Sequence, residues 1–185
     1  MSVAFLVAIV VACTGGPRLS GTELGDQMAP DFTLTDGMSG QSITFSTLRG
    51  RVVAMAFLYT RCPDVCPLTA AEFRASQRAL GSDASRVEFV AVSVDPDGDT
   101  PSAVRAFSDA HDLRDHWHYL IGGRPQLQQV WSLYGVGSIS PDGMRLQHND
   151  AIYLIDSRGR ERVLNHSDDA PNTLLNNLKI LLAER

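Results

Sequence analysis

The sequence predicts a single α/β domain, and three observations carry that prediction. Two apolar runs, 51–59 and 87–94, have the unbroken character of strands buried on both faces. A helical stretch at 67–80 lies between them, which makes a βαβ unit with parallel strands. The chain has 185 residues, 44% hydrophobic and 20% charged, enough for one core without disulfide staples.

The elements follow in order. Phe32-Thr33-Leu34-Thr35 and Ile43-Thr44-Phe45 alternate like short strands, with Asp36-Gly37 and Ser39-Gly40 marking the turn between them. After the βαβ unit, Thr100 and Pro101 start a helix as N-cap and first helical residue, with Val104 and Phe107 on one face. A third helix is expected at 125–134. Two strands, 151–155 and 160–164, flank the hairpin signal Asp156-Ser157-Arg158-Gly159. The last helix, 173–183, carries Leu174, Leu175, Leu178 and Leu182 as an apolar stripe. Hairpin, β-α-β-α, hairpin and helix together give a thioredoxin-like sandwich with an N-terminal β-hairpin and an inserted β-hairpin.

Sixteen basic and twenty-one acidic side chains leave a net charge of −5, and no stretch concentrates Lys and Arg. That argues against nucleic acid as a partner. Residues 3–11 form an apolar run about half as long as a membrane-spanning helix needs. It has the length of a signal-peptide core and ends in small residues before Cys13, followed by Thr14-Gly15-Gly16-Pro17. The expectation is a lipoprotein signal at 1–12, although residues 1–5 lack the usual positive charge. Cys13 would carry the lipid, 13–29 would be a flexible tether, and 30–185 the folded domain. The protein would then sit in a bacterial cell envelope, exported and anchored to a membrane through the lipid.

With Cys13 acylated, two thiols remain, in Tyr59-Thr60-Arg61-Cys62-Pro63-Asp64-Val65-Cys66-Pro67. A residue before proline is pushed away from helical angles. Both cysteines are therefore expected outside the helix, exposed, with Cys66 as its N-cap. A sulfur there faces unpaired N–H groups, which favour thiolate. Thiolates support two chemistries. One is thiol–disulfide exchange, with a C-x-x-x-C spacing in place of the usual C-x-x-C; Cys62 and Cys66 would then be the catalytic pair of a reductase. The other is binding of a soft metal, and two thiolates suit Cu(I).

A third ligand would come from the five histidines. His111 reads as a solvated helix end, and His166 carries no signal. His116 and His118 flank Trp117 on a strand, where an edge strand is favoured over a surface metal clip. His148 lies in Gln147-His148-Asn149-Asp150, before the strand at 151–155, in a loop that faces the cysteine loop in this architecture. It can complete an S₂N site; an incidental loop histidine fits the same spacing equally well. Asp95, in Ser93-Val94-Asp95-Pro96, stands at the C-terminal end of a buried strand, where α/β sites gather. It can orient a ligand or tune a thiol; it can equally be a turn-forming Asp before Pro.

Phe32-Thr33-Leu34-Thr35-Asp36, the Cys-Pro-Asp-Val-Cys-Pro string, Ser93-Val94-Asp95-Pro96 with Asp99-Thr100-Pro101, and His148 before Tyr153-Leu154-Ile155-Asp156 occur in this order. Together they resemble the Sco/SenC family of thioredoxin-like copper-binding proteins, from about Pro30 to the C-terminus. The resemblance implies copper, as Cu(I) or Cu(II), held by Cys62, Cys66 and His148, with Asp95 as the acidic residue nearby. It implies a membrane-tethered chaperone for the dinuclear copper centre of cytochrome c oxidase. The partners would be that oxidase's copper-bearing subunit and an upstream copper donor or thiol reductant. Two positions depart from the family pattern: Gln147 where Asp is frequent, and Asn149 where Ser or Thr is usual. The alternative function is a thiol–disulfide reductase acting on exported cysteine pairs.

Overall fold

The computed structural model describes residues 18–136, 151–166 and 169–184. Its strands are β1 (Thr22–Glu23), β2 (Thr33–Asp36), β3 (Ser42–Thr44), β4 (Val52–Leu58), β5 (Val87–Ser93), β6 (Trp117–Ile121), β7 (Ile152–Ile155) and β8 (Glu161–Asn165). Its helices are α1 (Val65–Leu80), α2 (Pro101–Ala110), α3 (Arg124–Leu133) and α4 (Thr173–Ala183). Among the described residues the strands make one eight-stranded sheet in the order β1-β8-β7-β4-β5-β6-β2-β3. The β4–β5 and β5–β6 pairs are parallel and the others antiparallel.

The apolar runs are continuous because β4 and β5 have a core on each side. Val52, Ala54, Ala56 and Leu58 face one cluster with Phe73 of α1, Val104 of α2 and Leu174 and Leu178 of α4. Val53, Met55 and Phe57 face a second cluster with Leu127, Val130 and Trp131 of α3. Every residue of β4 and β5 is buried. Successive side chains of a strand alternate faces, so a strand covered on both sides must be apolar throughout.

The local signals act as their chemistry requires. Thr100 Oγ1 accepts from the Ala103 amide (3.2 Å), capping α2 with Pro101 in its first turn. Gly159 adopts φ 85° in the β7–β8 hairpin, which a residue with a Cβ resists.

Two expectations change. The strand holding His118 is not at an edge: β6 lies between β5 and β2, with Trp117, Tyr119 and Leu120 buried, and His116 stands just ahead of it. Part of the segment read as tether belongs to the fold. Thr22 and Glu23 pair antiparallel with Leu164 and Val163, and the Ala29 amide donates to the Gly159 carbonyl (2.9 Å). The sheet recruits this polar stretch through its backbone, which leaves no trace in hydrophobic periodicity.

The pairing of β4 with β5 positions the site. The register runs from Val52↔Val87 to Leu58↔Ser93, so both strands end level. The loop into α1 and the loop into α2 therefore leave the sheet side by side, at the C-terminal edge of the parallel strands.

Candidate metal and thiol site

The chain leaves β4 at Leu58 and turns within six residues into α1. The Cys62 amide donates to the Tyr59 carbonyl (3.2 Å), and the Cys66 amide donates to Cys62 Sγ (3.4 Å). The sulfur of Cys62 thus accepts from the first turn of α1, where N–H groups lack intrahelical partners. Both thiols are free.

The prolines misplace the second cysteine in a sequence reading. Cys66 is inside α1, in its first turn, and not at the N-cap. Pro67 is the third residue of the helix, where a missing N–H forfeits no intrahelical bond, so the turn tolerates it. Nor is the pair exposed: Cys62 is 7% and Cys66 0% accessible. Cys66 heads the stripe Cys66, Ala70, Phe73, Gln77 and Leu80 that α1 turns to the core.

This burial splits the two thiols. Around Cys62, burial opposes ionisation, but the Asp64 amide, the Cys66 thiol and amide, and the Tyr59 side chain all favour the thiolate and hold its pKa below the ordinary thiol value. Around Cys66 burial dominates, the neighbouring Cys62 adds to it, and the thiol is pushed far up. The Tyr59 phenol is pushed up to about 12, first by burial and then by Cys62. Cys62 is the sulfur ready to act as nucleophile or ligand. Cys66 releases its proton when a metal or a disulfide bond takes its place.

Asp95 touches the loop and not the sulfurs. Its Oδ2 pairs with Arg61 Nη2 (2.6 Å) and its Oδ1 accepts from the Gly98 amide (2.9 Å). It forms a turn and anchors the residue before Cys62 at once. Sequence reasoning passes over its neighbour Asp99 as part of a motif string. Asp99 is 4% exposed and is the most elaborately bonded carboxylate at this edge of the sheet. It accepts from the Thr60 amide and the Thr60 hydroxyl (2.8 Å each), Ser93 Oγ (2.6 Å) and Tyr119 OH (3.1 Å). Burial raises its pKa against these four bonds. Its only sequence signal is its place before the N-cap Thr100.

The other predicted residues divide cleanly. His148 and Cys13 lie outside the described residues. His111 closes α2 with its ring against Phe107 (4.6 Å between centroids), and burial lowers its pKa. His166 Nε2 lies 3.3 Å from Thr22 Oγ1. His118 lies in β6 and His116 just ahead of it, so they do not share a strand, though both rings reach Glu88 and carboxylates take them up. His118 Nδ1 is 3.3 Å from Asp36 and its Nε2 3.5 Å from Glu88; His116 Nδ1 is 3.4 Å from Glu88. Hydrogen bonds to Asp36 and Glu88 push His118 up to about 9. Among the described residues no three His, Cys, Asp or Glu side chains form a metal-holding group. The described residues thus set no third His, Cys, Asp or Glu donor beside the sulfur pair. Nor, among these residues, is any helix long and apolar enough to cross a membrane.

A sequence model of the SCO1/SenC family matches residues 20–183. The structure of Bradyrhizobium japonicum ScoI with copper bound is 32% identical, covering 83% of this chain and 99% of that one, with a TM-score of 0.71. A SCO1/SenC family lipoprotein from Bacillus anthracis is 25% identical over 86% of this chain and 96% of its own, with a TM-score of 0.72. BsSco, of the Sco family of cytochrome c oxidase assembly proteins, shares the fold at 21% identity, with a TM-score of 0.73 over 91% of this chain and all of its own. The match spans every described element from β1 to α4, and the thioredoxin-like sheet agrees with the solved relatives: this chain belongs to the SCO1/SenC family.

Proposed function

We propose that this protein is a membrane-tethered copper chaperone that assists assembly of the dinuclear copper centre of cytochrome c oxidase. The observation that carries the reading is the sulfur pair: two free thiols, one hydrogen-bonded to the other's amide at 3.4 Å, at the sheet edge where α/β folds place ligands. Copper is the cargo. Cys62 and Cys66 bind it as thiolates, and two soft donors in a nearly dry setting suit Cu(I). His148 supplies the third donor and is the one that matters most for Cu(II). Asp95 steadies the loop through Arg61. Cys13 carries the lipid that holds the domain at an extracytoplasmic membrane face, in line with the Bacillus anthracis relative, itself a lipoprotein.

The test is copper stoichiometry and affinity of the reduced full chain. Cys62→Ser and Cys66→Ser are each expected to abolish stable binding, and His148→Ala to lose most Cu(II) affinity. A single cysteine variant that keeps tight copper would overturn the site. The asymmetry of the two thiols favours one second reading, a thiol–disulfide reductase with Cys62 as nucleophile. Copper binding untouched by His148→Ala, together with retained disulfide reduction, would select it.

A further inference from the structure

Thr60 and Arg61, the two residues that deliver the chain to Cys62, are each gripped by a carboxylate of the loop between β5 and α2. Asp99 takes the backbone amide and hydroxyl of Thr60, both at 2.8 Å, while Asp95 takes Arg61 at 2.6 Å. The two grips differ in kind. The Arg61 side chain is 69% exposed, so its ion pair is screened and weak. Asp99 is buried, and its far oxygen is anchored by Ser93 at the end of β5 and Tyr119 in β6. Asp99 therefore ties the Cys62 loop to two strands of the sheet. The loop is built around this grip. A Cβ on Gly98 would stand 2.2 Å from Asp95 Oδ2 and 2.5 Å from Arg61 Nη2, so a side chain there would push the tips of that ion pair aside.

We propose that Asp99 is a positioning residue for the cysteine pair: a buried staple that, by holding Thr60, keeps Cys62 packed down beside Cys66. Asp99 acts through backbone placement, so its amide isostere preserves the role. In Asp99→Asn the side-chain oxygen would still accept both Thr60 bonds, and the new NH₂ group would donate to the Ser93 and Tyr119 hydroxyls, which accept as readily as they donate. Removing the side chain frees the loop and leaves Cys62 more often open to solvent.

The test uses the reduced full chain and iodoacetamide, with alkylation followed at each cysteine by mass spectrometry. The Cys62 sulfur forms a bond to the reagent's carbon, iodide leaves, and the thiol proton goes to buffer. Asp99→Ala is expected to speed alkylation of Cys62 at least tenfold, at a temperature well below its unfolding transition. Asp99→Asn should stay within about threefold of wild type and Thr60→Val, which removes one bond of four, should fall between. Val163→Ala, a core truncation in β8, should lower the melting temperature without this acceleration. Should Asp99→Ala fail to fold, Thr60→Val decides. Rates within twofold of wild type in Asp99→Ala and Thr60→Val would overturn the proposal, as would equal acceleration by Val163→Ala. A second readout rests on the copper reading: Asp99→Ala should weaken Cu(I) binding by about 10- to 100-fold in competition with a chromogenic chelator. A wild-type chain that binds no copper would remove the chaperone reading, and the alkylation rates would still judge Asp99.

Discussion

The parallel strands β4 to β6 carry buried carboxylates at both ends, and the two ends treat them oppositely. At the C-terminal edge Asp99 is held by four neutral donors, and burial raises its pKa. At the N-terminal edge Glu88 is 2% exposed, yet His118, Arg51 and His116 surround it and bring its pKa below the usual range despite burial. Asp36 is lowered the same way by His118 and by Ser39. Burial alone therefore does not decide the state of a carboxylate; the charge of its partners does. One end is an ionic cluster that ties β2, β5 and β6 together. The other is a neutral polar cluster beside two thiols, with a raised-pKa carboxylate at its centre.

The largest test of this contrast is Glu88→Gln. It leaves Arg51 and the His118 imidazolium with one buried counter-charge fewer, and a loss of about 3 kcal/mol of unfolding free energy is expected in urea titration at pH 7. A loss below about 1 kcal/mol would mean the cluster is too well hydrated to matter.

Next in size is the pH dependence. His118 sits at about 9 in the folded chain against 6.5 as a free side chain. A raised value favours the protonated folded form. Its contribution is whole below about pH 6.5 and fades as the pH climbs through 9, amounting to a few kcal/mol at ~1.4 per unit. Glu88 and Asp36 are lowered, so their share is lost only on acidification, below the ordinary carboxylate range. Stability should therefore fall between pH 7 and 10, and His118→Gln should flatten that slope. An unchanged slope in the variant would assign the fall to other groups.

The smallest effect is expected from the same chemical change at the opposite end. Asp99→Asn should alter stability by no more than about 1 kcal/mol at pH 7, because it removes a charge with neutral partners and keeps the shape. A loss as large as that of Glu88→Gln would erase the distinction between the two edges.

How legible this site is depends on how far apart its parts lie in the chain. Cys62 and Cys66 stand in a short string whose residue types point to thiol or soft-metal chemistry, whereas Asp95 before Pro96 reads equally well as a turn residue. Asp99 carries no comparable signal, because its partners are Thr60 and Ser93 on one side and Tyr119 on another, and no periodicity links them. His116 and His118 read as sharing one strand face, but their carboxylates Asp36 and Glu88 belong to other strands. The pre-proline rule marks a break near Cys66 and misses its position, since the N-cap is Asp64 and the opening turn of a helix needs no amide from Pro67. The burial of both sulfurs is invisible in the sequence for a related reason: it follows from which face α1 turns to the core.

The order of the elements from β2 to α4, the two-sided burial of β4 and β5, and the family resemblance can be read along the chain, because hydrophobic period, capping and motif strings are local properties. That β4 and β5 end level, that Asp99 reaches Thr60, that Cys66 is wholly enclosed and that β1 is drawn into the sheet emerge with the assembled fold. Each of these depends on strand register and on contacts between residues tens of positions apart, and such contacts are set by packing of the whole sheet.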